Sequence, residues 1–329
     1  MKAVRYHHHG DPEVLRIEDI PTENPRDDEV LVRSRVAGVN FADTLQRRNA
    51  YPADMAPQIP AVPGFEAAGE VEAVGRNVVD FMPADRVLVI ARGGCYAQYV
   101  TAPSRYVFAL PDEITYEQAV ALPGQGLTAY FMLEEAMMER IFPSILIHAA
   151  AGGVGMLLLQ LARLMGAGNV VGTVGSEAKV KLLEEEGLTP AIDYSQPDWA
   201  ERVLEANGGS PYDLIFDSVG GAVLHNSLPL LAPGGQLTVF GRASGEPAVI
   251  DPIMLARQNQ TVRGFSLYPY VEQRSLVEEA LSELFGYVAS DRLKLKITGR
   301  FGFGEAALAH RLLEERKTTG KIVLSADLG

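Results

Sequence analysis

A glycine-rich turn near the middle of the chain has the residue types and spacing of a dinucleotide site. An apolar strand predicted over Ile145–Ala149 runs into small residues, and a helix predicted over Val154–Met165 begins at once. Glycines let the backbone approach a diphosphate, and a helix N-terminus offers unpaired N–H groups and a positive dipole end. This strand–turn–helix setting is the context that the motif requires, the alternative being a tight turn that binds nothing. We therefore predict diphosphate contacts from four residues: Gly152, Gly153, Val154 and Gly155.

The end of the next predicted strand indicates which nicotinamide cofactor fits. NAD-binding units place an Asp or Glu there to hold the ribose 2′-hydroxyl, whereas this strand ends with Gly175 and Ser176. Lys179 follows one helical turn later, and Tyr194, at the end of the third predicted strand, could add a phenolic donor. A hydroxyl and an ammonium favour a 2′-phosphate that a carboxylate would repel. The pattern favours NADPH; Glu177 as a displaced ribose acid and Lys179 as an ordinary solvated residue remain the alternatives.

The elements around this turn alternate in the order strand, helix, strand. After Ile145–Ala149, further strands are predicted at Asn169–Val174, Ala191–Tyr194, Tyr212–Asp217, Gln236–Phe240 and Thr261–Leu267. Such alternation builds a parallel, doubly wound α/β sheet with right-handed crossovers. The earlier part of the chain instead shows short alternating strands broken by prolines, which suits a partly open β-barrel. The tail returns to strand character at residues 321–324, and we expect it to rejoin the first domain.

Composition limits the partners and the compartment. The 329 residues predict two domains of about 150 residues each. A formal net charge of −13 makes nucleic acid and anionic membranes poor partners. Cys95 is the only cysteine, so an internal disulfide is impossible, which fits a reducing compartment. Because the sequence also shows no signal-peptide core and no apolar run of membrane-spanning length, we expect a cytoplasmic protein acting on a small molecule.

Short motifs along nearly the whole chain carry a resemblance to one family. They are Gly10-Asp11-Pro12-Glu13-Val14-Leu15, Gly38-Val39-Asn40-Phe41-Ala42-Asp43, Pro63-Gly64-Phe65-Glu66-Ala67-Ala68-Gly69, Gly126-Leu127-Thr128-Ala129-Tyr130, Ala149–Gly155, Asp217-Ser218-Val219-Gly220-Gly221 and Gly320-Lys321-Ile322-Val323-Leu324. In this order they resemble the zinc-free quinone oxidoreductase, or zeta-crystallin-like, branch of the medium-chain dehydrogenase/reductase superfamily. The resemblance implies a GroES-like β-rich substrate domain, residues 1–124 and 268–329, and a Rossmann domain, residues 125–267. It also implies a homodimer joined through edge strands of the Rossmann sheets.

The resemblance further implies roles for individual residues. Asn40 and Thr128 match an asparagine and a threonine that lie near the nicotinamide end of the cofactor in relatives. Arg316, in the tail, matches an arginine that can approach the 2′-phosphate. The remaining cofactor contacts that it implies are Ser176, Lys179, Tyr194, Ser218, Val219, Phe240 and Gly241.

Departures from the zinc-dependent relatives argue against a metal site. Those relatives place a histidine in a Gly-His-Glu motif, where this chain reads Gly64-Phe65-Glu66, and cysteine ligands where it reads Val39-Asn40-Phe41. A structural zinc lobe would need a set of cysteines. His7-His8-His9 is expected to be a solvated turn, because adjacent strand residues point to opposite faces. His148 is expected to be a buried, hydrogen-bonded histidine rather than a catalytic one.

These expectations lead to hydride transfer without a metal. NADPH would supply the hydride, and an electron-poor acceptor such as a quinone or a conjugated enone needs little Lewis-acid help. With Asn40 and Thr128, Tyr51 completes the predicted catalytic set, because its position resembles that of the proton-donating tyrosine of related enoyl reductases. An aromatic wall with no proton role is the alternative for Tyr51, and Tyr268 is expected among the aromatic residues lining the substrate site. Two other functions remain open, namely enoyl thioester reduction and a low-turnover, NADPH-binding structural or regulatory role.

Overall fold

The computed structural model describes residues 1–51, 56–138 and 140–326, which form two units. The N-terminal unit contains Met1–Leu127 together with Tyr268–Gly329, and the central unit contains Thr128–Leu267. Each unit has its own sheet and its own buried apolar core. None of the helices in the described part of the chain combines the length and the apolar character needed to cross a bilayer.

A seven-stranded sheet organises the N-terminal unit. Its order is β14-β15-β3-β4-β5-β7, with β6 paired to β3, and β1 and β2 form a separate two-stranded sheet. The strands are β1 (Lys2–Arg5), β2 (Arg16–Asp19), β3 (Glu29–Val39), β4 (Glu66–Val74), β5 (Arg86–Ile90), β6 (Tyr99–Pro103), β7 (Val107–Ala109), β14 (Ile297–Gly302) and β15 (Lys321–Ser325). The helices are α1 (Phe41–Arg47), α2 (Tyr116–Ala119), α9 (Tyr268–Val271), α10 (Arg274–Ala289) and α11 (Ala306–Glu314).

Three segments that are distant in the sequence meet at one end of the central strands of this sheet. β3 ends at Val39, and its neighbours β4 and β15, both antiparallel to it, begin at Glu66 and Lys321. In this register Gly38 lies opposite Glu66 on one side and opposite Val323 on the other. The residues that follow β3 and those that begin β4 and β15 therefore share one end of the sheet.

The central unit contains a six-stranded parallel sheet in the order β10-β9-β8-β11-β12-β13. The strands are β8 (Ser144–Ile147), β9 (Asn169–Val174), β10 (Ala191–Asp193), β11 (Tyr212–Asp217), β12 (Leu231–Val239) and β13 (Thr261–Gly264). The helices are α3 (Thr128–Met137), α4 (Gly153–Leu164), α5 (Glu177–Glu185), α6 (Trp199–Ala206), α7 (Gly221–Ser227) and α8 (Pro252–Ala256). This order is that of the doubly wound dinucleotide-binding fold, which confirms the predicted Rossmann sheet.

Burial explains why the central strands read as continuous apolar runs. Ile145, Leu146 and Ile147 of β8 are all fully buried, as expected where helices cover both faces of a parallel sheet. α4 follows with a run of buried leucines, so β8 and α4 form one apolar block joined by the glycine turn. The turn is therefore held between two rigid elements.

Several elements end at other residues than predicted. β8 ends at Ile147, before Ala149, because Ala149 has a φ of 52° and belongs to the turn. β13 ends at Gly264 rather than at Leu267. Between β13 and β14 the chain forms two helices, α9 and α10, which are separated by Glu272 and Gln273.

Candidate functional site

The turn between β8 and α4 presents backbone rather than side chains. Gly152 precedes α4 in an extended conformation, and its carbonyl accepts the first helical hydrogen bond, from the Met156 N–H at 2.9 Å. The N–H groups of residues 153–155 lie ahead of that bond and outside the helical ladder. A Cβ on Gly155 would lie 2.5 Å from the carbonyl oxygen of Ala149. Glycine is therefore required for this turn, whose unpaired N–H groups suit a diphosphate.

The ends of β9 and β10 bring two of the predicted phosphate residues together. Ser176 directly follows β9 as the residue before α5, and Tyr194 follows β10. A Cβ on Gly175 would lie 3.0 Å from the Tyr194 hydroxyl, so that hydroxyl lies over the glycine next to Ser176. Lys179 is half-buried in the first turn of α5, whereas Glu177 is exposed. Two hydroxyls and one ammonium therefore occur where a cofactor ribose is held in this fold.

A second loop pair lies at the ends of β11 and β12. The buried Asp217 carboxylate accepts the N–H groups of Val219 and of the following residue, both at 2.9 Å. Burial raises the pKa of Asp217, while these two hydrogen bonds lower it. The Phe240 N–H donates to the Asp217 carbonyl at 2.9 Å, and a Cβ on Gly241 would lie 3.1 Å from Cβ of Ser218. The predicted pairs at β11 and β12 are thus adjacent, at the carboxyl edge that binds ligands in such sheets.

Two further predicted residues, Thr128 and Arg316, do not follow a strand of the central sheet. Thr128 begins α3 and is buried, with a relative exposure of 9%. Arg316 belongs to the N-terminal unit, where it follows α11 with a φ of 57° and is exposed. Their contacts with a cofactor therefore remain predictions.

In the N-terminal unit, Asn40 lies at the centre of a buried polar cluster. Its side-chain Nδ2 donates to Glu66 Oε1 at 2.6 Å, and its Oδ1 accepts a hydrogen bond from Lys321 Nζ at 3.0 Å. Lys321 Nζ also donates to Glu66 Oε1, and the Gly124 N–H donates to Glu66 Oε2 at 2.7 Å. Glu66 and Lys321 are 0% and 1% exposed, while Asn40 is half-buried. Sequence reasoning predicted Asn40 but assigned no role to the two charged residues that hold it.

A second polar chain continues from the backbone of Asn40. The Asp43 carboxylate accepts the Asn40 N–H at 2.8 Å and the Tyr96 hydroxyl at 3.1 Å. Tyr96 in turn contacts His310 Nε2 at 3.2 Å, and Arg47 Nε donates to His310 Nδ1 at 3.4 Å. Because arginine can only donate, this contact places the His310 proton on Nε2. Burial raises the pKa of Asp43 to about 7 and lowers that of His310 to about 3.

Tyr51 forms a hydrogen-bonded pair with Tyr268. Burial raises the pKa of both hydroxyls, and their mutual interaction lowers the pKa of Tyr51 and raises that of Tyr268. The Tyr268 ring packs edge-on against Phe65 at a centroid distance of 6.0 Å, and the Arg92 guanidinium lies 5.4 Å from its centroid.

The histidines occur in structural settings. His148 is fully buried between the hydroxyls of Thr173 and Ser227, at 2.6 and 2.7 Å, as predicted. Burial lowers its pKa to about 3. His7 is largely exposed and contacts Glu18 at 2.7 Å, which fits the predicted solvated turn. Within residues 1–51, 56–138 and 140–326, no group of three or more His, Cys, Asp or Glu side chains is arranged to hold a metal ion.

Two family models match the chain, one in each part of the sequence. Residues 26–112 match the alcohol dehydrogenase GroES-like domain, and residues 153–285 match a family described as zinc-binding dehydrogenase. A quinone oxidoreductase of Pseudomonas aeruginosa is 38% identical over 98% of this chain and 99% of its own length. A 2-haloacrylate reductase of a Burkholderia species is 35% identical over 98% of each protein. Among solved structures, Escherichia coli quinone oxidoreductase complexed with NADPH superposes with a TM-score of 0.92, at 33% identity, covering 99% of this chain and 100% of that one.

Proposed function

The chain belongs to the quinone oxidoreductase branch of the medium-chain dehydrogenase/reductase superfamily, and on that premise we propose that it reduces an electron-poor acceptor with NADPH. The acceptor is a quinone or a conjugated enone or alkenal, and the reaction uses no metal. The observation that carries the proposal is the turn at residues 152–155, where close packing against Ala149 requires glycine at position 155 and backbone N–H groups precede the helical ladder. A relative named for quinone reduction supports the first acceptor type, and one named for reduction of haloacrylate, whose C=C bond is also conjugated to a carbonyl group, supports the second by analogy.

The residues of the central unit fit NADPH. The N–H groups of residues 153–155 would hold the diphosphate, and Ser176, Lys179 and Tyr194 would hold the 2′-phosphate. The loop pairs at the ends of β11 and β12 would flank the rest of the cofactor through Val219 and Phe240. When bound, NADPH supplies a hydride from its nicotinamide ring. Asn40, Thr128 and Arg316 complete the proposed contacts.

Tyr51 is the proposed proton donor. A conjugated alkene that accepts a hydride must also gain a proton, and a phenol is a suitable general acid. Burial raises the pKa of Tyr51 and keeps its hydroxyl protonated, while the interaction with Tyr268 lowers that pKa and would stabilise the phenolate left after proton transfer. This stabilisation favours proton transfer over a passive aromatic wall.

The test of the function is a panel of acceptors. Purified protein is first titrated with NADPH and with NADH by cofactor fluorescence, and NADPH oxidation is then followed with quinones, alkenals and enoyl thioesters. We expect tighter binding of NADPH than of NADH, and turnover with quinones or alkenals. Binding without turnover on any acceptor would instead support a structural or regulatory protein. A strong preference for long enoyl thioesters would identify an enoyl thioester reductase.

We also propose a cytoplasmic homodimer. β13 forms the edge of the central sheet, and Val249, Ile253 and Met254 of the same unit are 86%, 67% and 51% exposed. A strand at the edge of a sheet and exposed apolar side chains are both suited to pairing with a second copy. Cys95 is buried and unpaired, which agrees with a reducing compartment. Light scattering after size exclusion would give twice the mass of 35.6 kDa if the proposal is right.

A further inference from the structure

The polar cluster below Asn40 contains two full charges in a place where charges are costly. Glu66 and Lys321 are almost completely buried, and each charged group loses its hydration there. Replacing such a pair by apolar residues of similar volume is often neutral or stabilising for a fold. Stability alone therefore gives little reason for this pair, and its hydrogen bonds indicate what else it does.

Both charges bind the same amide, one at each end. Lys321 Nζ is a pure donor and contacts the Asn40 oxygen, whereas Glu66 Oε1 is a pure acceptor and contacts the Asn40 nitrogen. Turning the amide over would place its NH₂ group against the ammonium and its oxygen against the carboxylate. Both contacts would become repulsive, so the amide has only one favourable orientation.

The backbone around the cluster is shaped to keep it in place. A Cβ on Gly38 would lie 2.2 Å from Glu66 Oε1, so the carboxylate occupies the space that a side chain on β3 would fill. A Cβ on Gly124 would lie 2.8 Å from Asn40 Oδ1 and 3.0 Å from its Nδ2. The Gly124 N–H also holds the second oxygen of Glu66. Glu66, Lys321, Gly38 and Gly124 are thus packed around the side chain of Asn40.

We infer that Glu66 and Lys321 are positioning residues, which lock the Asn40 amide in one orientation so that its remaining N–H is presented to the nicotinamide end of the cofactor. This inference rests on the proposed function, in which Asn40 lies beside that part of NADPH. The amide has two N–H donors and gives one to Glu66, so one is left for a ligand. Asn40 is the half-buried member of the cluster, whereas the two charged residues are enclosed.

The first experiment removes the lock while keeping the interior neutral. In the double variant Glu66→Leu with Lys321→Met, no charge is left unpaired, so we expect a folded protein. Its kcat/KM should fall about 10- to 100-fold, as expected when a reacting group loses its alignment. Ile322→Ala is the matched control, because Ile322 is the next residue of β15, is buried in the apolar core and points to the opposite face. The control should lower Tm while leaving kcat/KM close to that of the wild type.

A second variant reaches the amide without changing any charge. Gly124→Ala keeps the N–H that binds Glu66 but places a Cβ against both ends of the Asn40 amide. It should reduce kcat/KM in the same direction as the double variant. Because the two variants perturb the fold in different ways, failure of one to fold leaves the other as the test.

The readout that does not depend on turnover is the Asn40 side-chain amide signal in ¹⁵N-labelled, cofactor-free protein. The signal is assigned by its loss in Asn40→Ala. In the wild type the two amide hydrogens should have well-separated shifts, because one is bound to a carboxylate. In the double variant the shifts should approach those of a solvated asparagine, and in Ile322→Ala they should not move. Unchanged Asn40 shifts, or wild-type kcat/KM in both altered proteins, would overturn the inference, whereas a wild type inactive on every acceptor would overturn the proposed function and leave the amide measurement valid.

Discussion

Two regions that carry predicted site residues, one in each unit, use different chemical groups. In the central unit, the turn at residues 152–155 offers backbone N–H groups, and the side chains there are hydrogen atoms or one valine. In the N-terminal unit, Asn40 is held by the side chains of Glu66 and Lys321, which come from other strands. The first region depends on the absence of Cβ atoms, and the second depends on charges.

This difference matches what each region has to bind. A diphosphate carries charge in all directions, so a helix N-terminus with several N–H groups binds it without a particular side chain. A single amide has to present one donor in one direction, and the wrong orientation offers an acceptor instead. Backbone geometry serves the first purpose, whereas fixed charges serve the second. Adding a side chain should therefore impair the turn at residues 152–155, whereas removing or replacing a side chain should impair the region around Asn40.

The largest effect is expected from adding a side chain to the backbone region. Gly155→Val would place its Cβ 2.5 Å from the Ala149 carbonyl oxygen, so the turn must open. We expect NADPH affinity to fall on the order of 100-fold or more, since each charge-assisted hydrogen bond lost is worth about 1.5–3 kcal/mol. The control is Val154→Ala, which changes a side chain in the same turn but keeps its N–H, and it should bind NADPH almost normally. Equal losses in the two variants, measured by fluorescence titration, would show that side chains matter here too.

The second-largest effect is expected from the loss of the proposed proton donor, Tyr51, in the N-terminal unit. Tyr51→Phe should lower kcat for an alkenal roughly 100-fold, the usual contribution of a general acid, while leaving NADPH affinity unchanged. Tyr268→Phe keeps the Tyr51 hydroxyl and removes only its interaction with the Tyr268 hydroxyl, so its loss should be smaller. The solvent deuterium effect on kcat should be present in the wild type and absent in Tyr51→Phe. If neither substitution changes the rate of alkenal reduction, Tyr51 is an aromatic wall of the site with no role in proton transfer.

The same contrast explains which features could be predicted from the sequence. The glycine turn was recognisable because its strand, turn and helix are consecutive in the chain, and β9 and β11 have the predicted bounds Asn169–Val174 and Tyr212–Asp217. Strand ends were less certain, as at β8, because a turn residue such as Ala149 has an apolar side chain yet a positive φ. Local patterns therefore predicted the central unit well.

The cluster around Asn40 could not be assembled in this way. Asn40 and Glu66 are 26 positions apart, and Asn40 and Lys321 are 281 apart, so only strand register brings them together. One signal was available, namely a lysine directly before the apolar run Ile322-Val323-Leu324 of strand β15. A charged residue in a buried strand needs a partner, but the sequence alone does not say which one.

A smaller effect is expected from Lys179, whose side chain would supplement the backbone N–H groups of the central unit. Lys179→Ala should weaken NADPH binding roughly tenfold, corresponding to one charge-assisted hydrogen bond, while NADH binding should stay the same. Lys181→Ala is the control, because Lys181 is an exposed residue of the same helix. The ratio of the two dissociation constants is the measurement. If Lys179→Ala weakens both cofactors equally, the lysine acts on the common diphosphate or on the fold and does not select the 2′-phosphate.

The smallest effect tests whether the N-terminal unit is governed by buried charge. Burial raises the pKa of Asp43 from 3.8 to about 7, so between these pH values the folded state holds a proton that the unfolded state has lost. The contribution of Asp43 to stability therefore decreases as pH rises through this window. His310 acts in the opposite direction, because burial lowers its pKa to about 3 and its contribution is lost as pH falls below 6.5.

Asp43→Asn removes one of these two opposing contributions while keeping an oxygen that can accept the Asn40 N–H and the Tyr96 hydroxyl. We expect its free energy of unfolding to rise more steeply with pH than that of the wild type between about pH 4 and 6.5, because the effect of His310 is no longer offset. Urea unfolding at several pH values in this range measures the two slopes. Parallel slopes would mean that Asp43 is ionised in the folded protein throughout. In that case the hydrogen bonds from Asn40 and Tyr96, with the nearby Lys321 ammonium, lower the pKa of Asp43 by more than burial raises it. Charge interactions, rather than burial, would then determine the protonation state of Asp43.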